Sequence, residues 1–247
     1  MRGRSAGLAS LVAVLLLWEL IVRSGLISHR LLASPSETAV ALVNILGDGD
    51  VRAGIAATLF EVLVAMALAV PVGVLLGFFV GESRLANRLL APILSGLMVT
   101  PKAVFLPLFI LAFGVGLNQK VVFGIFQALF VIAVATIAAT QGVPNGLLLV
   151  ARSQRASRLQ TYRHIYLPYM LPVTVQGIRI GVVYAVHGIL LAEIYVSRVG
   201  LGRLILIWGN AGRVADLLAG AFLAGLIAIA INEVFRLYEH QLGAWRT

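Results

Sequence analysis

The residues of this chain with chemistry to do are ionisable and polar side chains in apolar runs. Lys102, flanked by Pro101 and Pro107, is the sharpest. A lysine in a membrane span is costly unless it faces a cavity, meets an ion-pair partner or reaches the interface, so it is a candidate contact for a transported solute. The prolines free backbone carbonyls that must face protein or water, which favours a cavity beside that run. Thr100, Gln127 and Gln176 are further candidate donors along a pathway, and Glu193 is a candidate near its outer end. Glu61 reads as the partner of Arg52 or of another helix, and Arg179 reads as interfacial. His187 has no second histidine or carboxylate at metal-ligand spacing and reads as a hydrogen-bonded interior histidine. No metal site and no catalytic set emerges. There are no cysteines, which removes disulfides, thiolate metal sites and cysteine nucleophiles. No Ser/His/Asp or paired-carboxylate constellation converges either.

The cations that are not isolated form one island. Arg152, Arg155, Arg158, Arg163 and His164 fall between two long apolar stretches. Within it Leu147, Leu148 and Ala151 make an apolar edge, Ser157 is a candidate N-cap, and Leu159, Tyr162 and Ile165 recur at helical spacing. The pattern predicts two short amphipathic helices joined at a turn, with apolar knobs rimmed by arginines. Such a hairpin suits a groove on another protein.

The elements that must position these residues follow from composition. Of 247 residues, 60% are hydrophobic and 12% charged, with a net charge of +9; the mean hydropathy is +1.00. A soluble domain is about 25% charged. The chain therefore reads as an all-α polytopic membrane protein, its positive excess serving cytoplasmic loops and anionic lipid rather than nucleic acid. Six spans are expected, near 8–22, 55–80, 90–113, 121–140, 173–196 and 217–238. Ser34-Pro-Ser-Glu37 opens a short capped surface helix after the first of them, and Gly114 to Lys120 reads as a tight turn.

With the N-terminus inside, the inner segments hold Arg2, Arg4, Arg84, Arg88, Arg152, Arg155, Arg158, Arg163, Arg236 and Arg246. The outer ones hold Arg23, Arg30, Arg52, Lys120, Arg198, Arg203 and Arg213, a bias of ten to seven. Ala65, Ala69, Gly73, Gly77 and Gly81 recur every fourth residue, as do Gly177, Gly181 and Ala185. Small residues at this spacing predict close helix–helix seams.

The island ends in Ile165-Tyr-Leu167-Pro168, and read back from there it resembles the cytoplasmic loop of binding-protein-dependent ABC importer permeases. That loop is written E-A-A, three residues, G, nine residues, I-x-L-P. Ala151, Ala156, Ser157, Gln160, Tyr162 and Arg163 fit the pattern, as do Leu171-Pro172 and Gly177-Ile-Arg179 downstream. Thr100-Pro-Lys-Ala-Val-Phe-Leu-Pro107 through Gly116, Gly81-Glu-Ser-Arg84, and Ala192-Glu193 with Gly200-Leu-Gly202 resemble the nitrate/sulfonate/taurine branch. Leu149 and Val150 depart from the pattern, and Arg155 stands where the family has glycine at a left-handed turn.

The resemblance implies a type I importer permease fold. Residues 1–53 would carry an N-terminal membrane helix and a periplasmic amphipathic segment, and 54–240 the permease domain with a coupling loop near 144–168. The coupling residues carried over are Ala151, Arg152, Arg155, Ala156, Ser157, Tyr162, Leu167 and Pro168. The implied partners are a second copy of the chain, two ATP-binding cassette subunits, a soluble or lipid-anchored substrate-binding protein and membrane lipid. ATP and Mg²⁺ would reside in the ATPase subunits, and this chain, which lacks a Gly-x-x-x-x-Gly-Lys-Ser/Thr loop, would hold no cofactor. The implied location is the bacterial inner membrane, multi-pass, with both termini cytoplasmic. The cargo would be a small solute, with Lys102 leaning toward an anion. The alternative is an ion-coupled secondary transporter or channel, which needs an intramembrane ion site or an inverted repeat.

Overall fold

A computed structural model describes the backbone of residues 2–243 and the side chains of residues 7, 9–233 and 236. Arg2, Arg4, Arg246 and Tyr238, used above to judge orientation and the last span, lie outside the described side chains. The described residues contain helices and no strand. Helices Gly49–Glu82, Leu117–Gln141, Arg158–Val196 and Val214–Glu233 are long and apolar enough to cross a membrane. Arg84–Val99 and Lys102–Phe113 add a fifth crossing if that pair, bent by 90°, is one span.

The chain packs as two units, Met1–Thr58 with Glu193–Ile227, and Leu59–Ala192 with Ala228–Thr247. In the first, α1 (Arg2–Arg23) leads to α2 (Pro35–Gly47), whose N-terminus is specified locally. Ser34 is the N-cap of a complete capping box with Glu37, and Pro35 opens the helix. The Ser34 backbone N–H donates to Glu37 at 2.8 Å and holds that carboxyl below its ordinary range. Glu19 of α1 accepts from the Ser36 backbone N–H at 3.0 Å and from its hydroxyl at 2.7 Å, tying the two helices at a positive helix end. This unit also holds α10 (Leu201–Asn210), a helix with no counterpart in the sequence reading. Ten residues are too few to span a bilayer, and the glycines at its ends resemble a loop.

The second unit is organised on α6 (Leu117–Gln141), the most deeply buried of the helices long enough to cross. The glycine periodicities in α3 (Gly49–Glu82) and α9 (Leu167–Val196) both address it. A Cβ on Gly77 would lie 2.4 Å from the Ala133 carbonyl oxygen, and one on Gly81 would lie 2.6 Å from Thr140 Cβ. From the other side, a Cβ on Gly177 would meet Ala135 Cβ at 2.3 Å and one on Gly181 would meet Ile132 at 2.7 Å. The backbones therefore touch where lipid offers no drive to bury apolar area. Ala65, Ala69, Ala185 and Ile132 fill the same seam and are almost wholly buried.

Several expectations change. The run at 90–113 is not one interrupted helix. It forms α4 (Arg84–Val99), a 3₁₀ turn (Lys102–Phe105) and α5 (Leu106–Phe113), meeting at a right angle. Pro92 sits inside α4, Pro101 makes the break, and Pro107 lies in the first turn of α5, where a missing N–H costs nothing. The turn after α5 is confined to Gly114 and Gly116, both at positive φ, and Asn118 to Lys120 are already helical. Of the two partners expected for Glu61, the structure has the one on another helix, Lys120 of α6, and both residues are buried. His187 is exposed on this chain rather than interior. Arg179 is half-buried and donates to Asn232 at 3.2 Å.

Gly77→Val should lower stability by about 1–3 kcal/mol through overpacking against α6. Gly96→Ala, where no atom lies within 4 Å of the added Cβ, should not. Unfolding in mixed detergent micelles, followed by circular dichroism, reads both.

Candidate functional site

The basic island folds as the expected hairpin, and its turn is defined by backbone hydrogen bonds. Helix α7 (Asn145–Ser153) ends at Gln154, followed by Arg155 at φ 54°, the one non-glycine residue at positive φ among those described. The Ala156 N–H donates to the Ala151 carbonyl at 2.9 Å and the Arg155 N–H to the Arg152 carbonyl at 3.0 Å. This is a Schellman turn, which places its C′ residue in the left-handed region. Arg155 occupies that position without glycine's freedom, at a cost of roughly 1 kcal/mol. Two residues on, Ser157 caps α8 (Arg158–Thr161) in a complete capping box with Gln160. The first helix is thus stopped and the second started across the four residues 154–157.

The faces divide differently from the sequence expectation. Ala151 is buried, and Leu148 packs with Val143, Ile165 and Met170, so these residues hold the hairpin onto its own chain. The outward apolar residues are Leu147, Leu149, Val150 and Leu159, with Leu167 beyond, set among exposed Arg152, Arg155 and Arg158. Ser157 is exposed, while Ala156 and Pro168 are half-buried. Tyr162 turns inward: its hydroxyl donates to Glu82 Oε1 at 2.6 Å. The rings of Tyr162 and Tyr166 stand edge-on to Phe78, at 5.5 and 5.7 Å. Glu82, Arg152, Arg158 and Tyr166 line a cleft of about 370 Å³ under the hairpin. Glu82 stood in the sequence only as part of Gly81-Glu-Ser-Arg84, with no role assigned, and Phe78 was not singled out. Their one-turn spacing at the end of an apolar helix is ordinary, and only the fold brings the tyrosines to them.

Each candidate pathway residue has its own local setting. Lys102 is buried at the right-angled corner, where its ammonium donates to the Met98 carbonyl at 2.9 Å and lies 5.2 Å from the centre of the Tyr184 ring. It closes the last turn of α4, a helix end that favours a cation, with a cation–π contact added. Thr100, half-buried, also closes that turn, donating to the Gly96 carbonyl at 2.8 Å. Gln127 is buried, its Cγ in the space that a side chain on Gly188 would fill. Gln176 is exposed.

Glu193 serves α10. Its Oε1 accepts from the Thr58 hydroxyl at 2.8 Å and its Oε2 from the Gly202 N–H at 2.7 Å, while Thr58 Oγ1 accepts from the Leu201 N–H at 3.0 Å. Gly200, the N-cap, has no side chain to do this, and a Cβ there would lie 2.1 Å from Glu193 Oε1. The carboxylate is a cap supplied from another helix. Among the described residues no group of His, Cys, Asp and Glu could hold a metal ion.

The family model for the binding-protein-dependent transport system inner membrane component matches residues 69–242. The chain belongs to this family. It is a permease subunit of an ABC importer, not an enzyme, and ATP hydrolysis belongs to a separate subunit. This permease is similar to the taurine transport system permease protein TauC of Escherichia coli (strain K12), 28% identical over 96% of this chain and 88% of that one. It is also similar to the nitrate import permease protein NrtB of Leptolyngbya laminosa, 29% identical over 73% of this chain and 64% of that one. Among solved structures, the MetNI methionine ABC transporter in inward-facing conformations matches with a TM-score of 0.62 and 22% identity, over 78% of this chain and 94% of that one. A bacterial ABC transporter involved in import of the acidic polysaccharide alginate matches with a TM-score of 0.66 and 13% identity, over 97% and 96%. At those identities the structures speak for the fold, which is that of ABC importer transmembrane subunits.

Two substitutions separate turn from cap in this permease. Arg155→Gly should raise stability by about 1 kcal/mol by relieving the left-handed strain. Glu193→Ala should cost about 1–3 kcal/mol, because buried donors on α10 lose their acceptor, and Glu193→Gln should cost less. Chemical unfolding in micelles checks both directions.

Proposed function

We propose that two copies of this permease pair to line a passage for a small anion such as a sulfonate or nitrate. In this reading α1 completes six crossings, both termini and the hairpin face the cytoplasm, and a binding protein on the outer side delivers the cargo. Two ATPase subunits, holding ATP and Mg²⁺, dock on the hairpin, and their closure moves the spans. The observation that carries the reading is the hairpin's outward face. Leu147, Val150 and Leu159 are exposed beside a tightly specified turn ringed by arginines, a rigid apolar projection suited to a groove on a partner.

The relatives named for taurine, a zwitterion with a sulfonate group, and for nitrate support a cargo that carries an anionic group. Lys102, bound to the Met98 carbonyl at the corner of α4 and α5, supports it only if that corner opens onto the passage. The ion-coupled alternative finds less support. Glu61 pairs with Lys120, and Glu193 is occupied by Thr58 and Gly202, so both buried carboxylates are engaged in holding helices.

Leu159→Asp and Arg155→Glu test the docking face; Ala151 is not used, because it is buried. Each should leave the melting temperature of the free chain unchanged, abolish co-purification of the ATPase subunits and cut taurine-stimulated ATP hydrolysis in proteoliposomes by roughly tenfold or more. Native co-purification in both variants overturns the docking reading.

A further inference from the structure

The hairpin meets the rest of its unit through two chain connections, to α6 and to α9, through apolar packing that includes Phe78 of α3, and through a hydrogen bond distant in sequence. The connection to α9 is a π turn, Tyr162–Tyr166, closed by the Leu167 N–H on the Tyr162 carbonyl. A π turn holds one residue more than the helix around it and is a place where a helix changes direction. A push on the hairpin can be absorbed there. The distant hydrogen bond is that of Tyr162 to Glu82, which sits in the last turn of α3.

We infer that Tyr162 and Glu82 are positioning residues for energy coupling, their hydrogen bond delivering hairpin movement to the end of α3 instead of letting it relax in the π turn. This rests on the docking reading above. Four observations bear on it. The bond is short, 2.6 Å, and its acceptor is a carboxylate, which makes it stronger than a neutral pair. Phe78, one turn before Glu82, is edge-on to both tyrosines that bracket the π turn, so ring contacts and the hydrogen bond clasp the same segment. Arg152 and Arg158, from the two arms of the hairpin, line one cleft with Glu82 and Tyr162, so the acceptor faces both arms. Finally, α3 is itself seated on α6 at Gly77 and Gly81, one of them adjacent to Glu82, so a force received there enters the packed centre of the unit.

The absence of cysteine from the sequence lets spin labels be placed freely. Labels at Gln154→Cys, on the hairpin, and Leu75→Cys, on the exposed face of α3, report the distance between them by pulsed electron paramagnetic resonance. The measurement uses the permease assembled with its ATPase subunits in nanodiscs, nucleotide-free and trapped with ADP and vanadate. In the parent, the distribution should stay narrow and unshifted between states, hairpin and α3 moving together. Glu82→Leu removes the acceptor and keeps the bulk, and Tyr162→Phe removes the donor and keeps the ring. On trapping, each should shift the distribution or broaden it by roughly twofold, the double variant no further. Glu82→Gln retains an acceptor oxygen and should behave as the parent.

Parent-like distances in Glu82→Leu and Tyr162→Phe overturn the inference. So does a Glu82→Gln distribution as broad as that of Glu82→Leu, because charge and not the hydrogen bond would then be responsible. If the parent takes up no ATPase subunits, the docking reading falls and this role with it. If it takes them up and the variants follow the parent, only the linkage between Tyr162 and Glu82 falls.

Discussion

The larger unit depends on the near-contact between the α3 backbone and the α6 backbone. Among apolar helices in an apolar surrounding, burying more methylene groups gains little, and close approach with its dispersion contacts must hold them. Gly77 against the Ala133 carbonyl is the tightest place on the α3 side, and Gly177 against Ala135 its counterpart on the α9 side. Between these seams α6 has almost no free face along its middle. Hairpin, π turn and right-angled corner are all attached to this clamped helix or to the two that clamp it.

Once the helices are clamped, each buried charge has to be answered locally, and the answers are structural. Lys120 answers Glu61, a helix end and an aromatic ring answer Lys102, and Thr58 with the first N–H groups of α10 answers Glu193. Lys102 and Glu193 are answered at a helix end or corner, where backbone supplies unmatched dipoles, whereas Glu61, inside α3, is answered by the Lys120 cation. Each of these charged residues is thus held by neighbours within its own unit.

The hairpin follows a different rule. Its turn is set by short-range hydrogen bonds, while buried Ala151, packed Leu148 and the bond from Tyr162 to Glu82 hold it to the unit. A Schellman turn at Arg155, a capping box at Ser157 and a carboxylate under Tyr162 fix an element whose outward residues are left apolar. Arginine in the left-handed position costs stability and places a cation at the apex. That suits a surface meant to meet a partner more than one meant only to be stable.

Local signals were readable from the sequence because their physics is local. Ser34 with Glu37 and Ser157 with Gln160 act within one turn. Glycines every fourth residue declare a seam whatever the partner, and a cation-rich island between apolar runs declares a projecting loop. The resemblance put Arg155 at a left-handed position without deciding whether the turn is built the same way, and the structure keeps it left-handed. What the sequence did not determine is which distant groups meet. Glu61 was as compatible with Arg52 as with Lys120, Tyr162 gave no sign of Glu82, and nothing near Gly200 announced that Glu193 would cap α10. The right angle at Pro101 is of the same kind, since proline permits a break and only packing sets its angle. Glu61 and Lys120 are 59 positions apart, Tyr162 and Glu82 80, and Glu193 and Thr58 135, so these energies exist only once the chain has closed those loops. Side-chain type and spacing limit the choices, and the tertiary structure makes them.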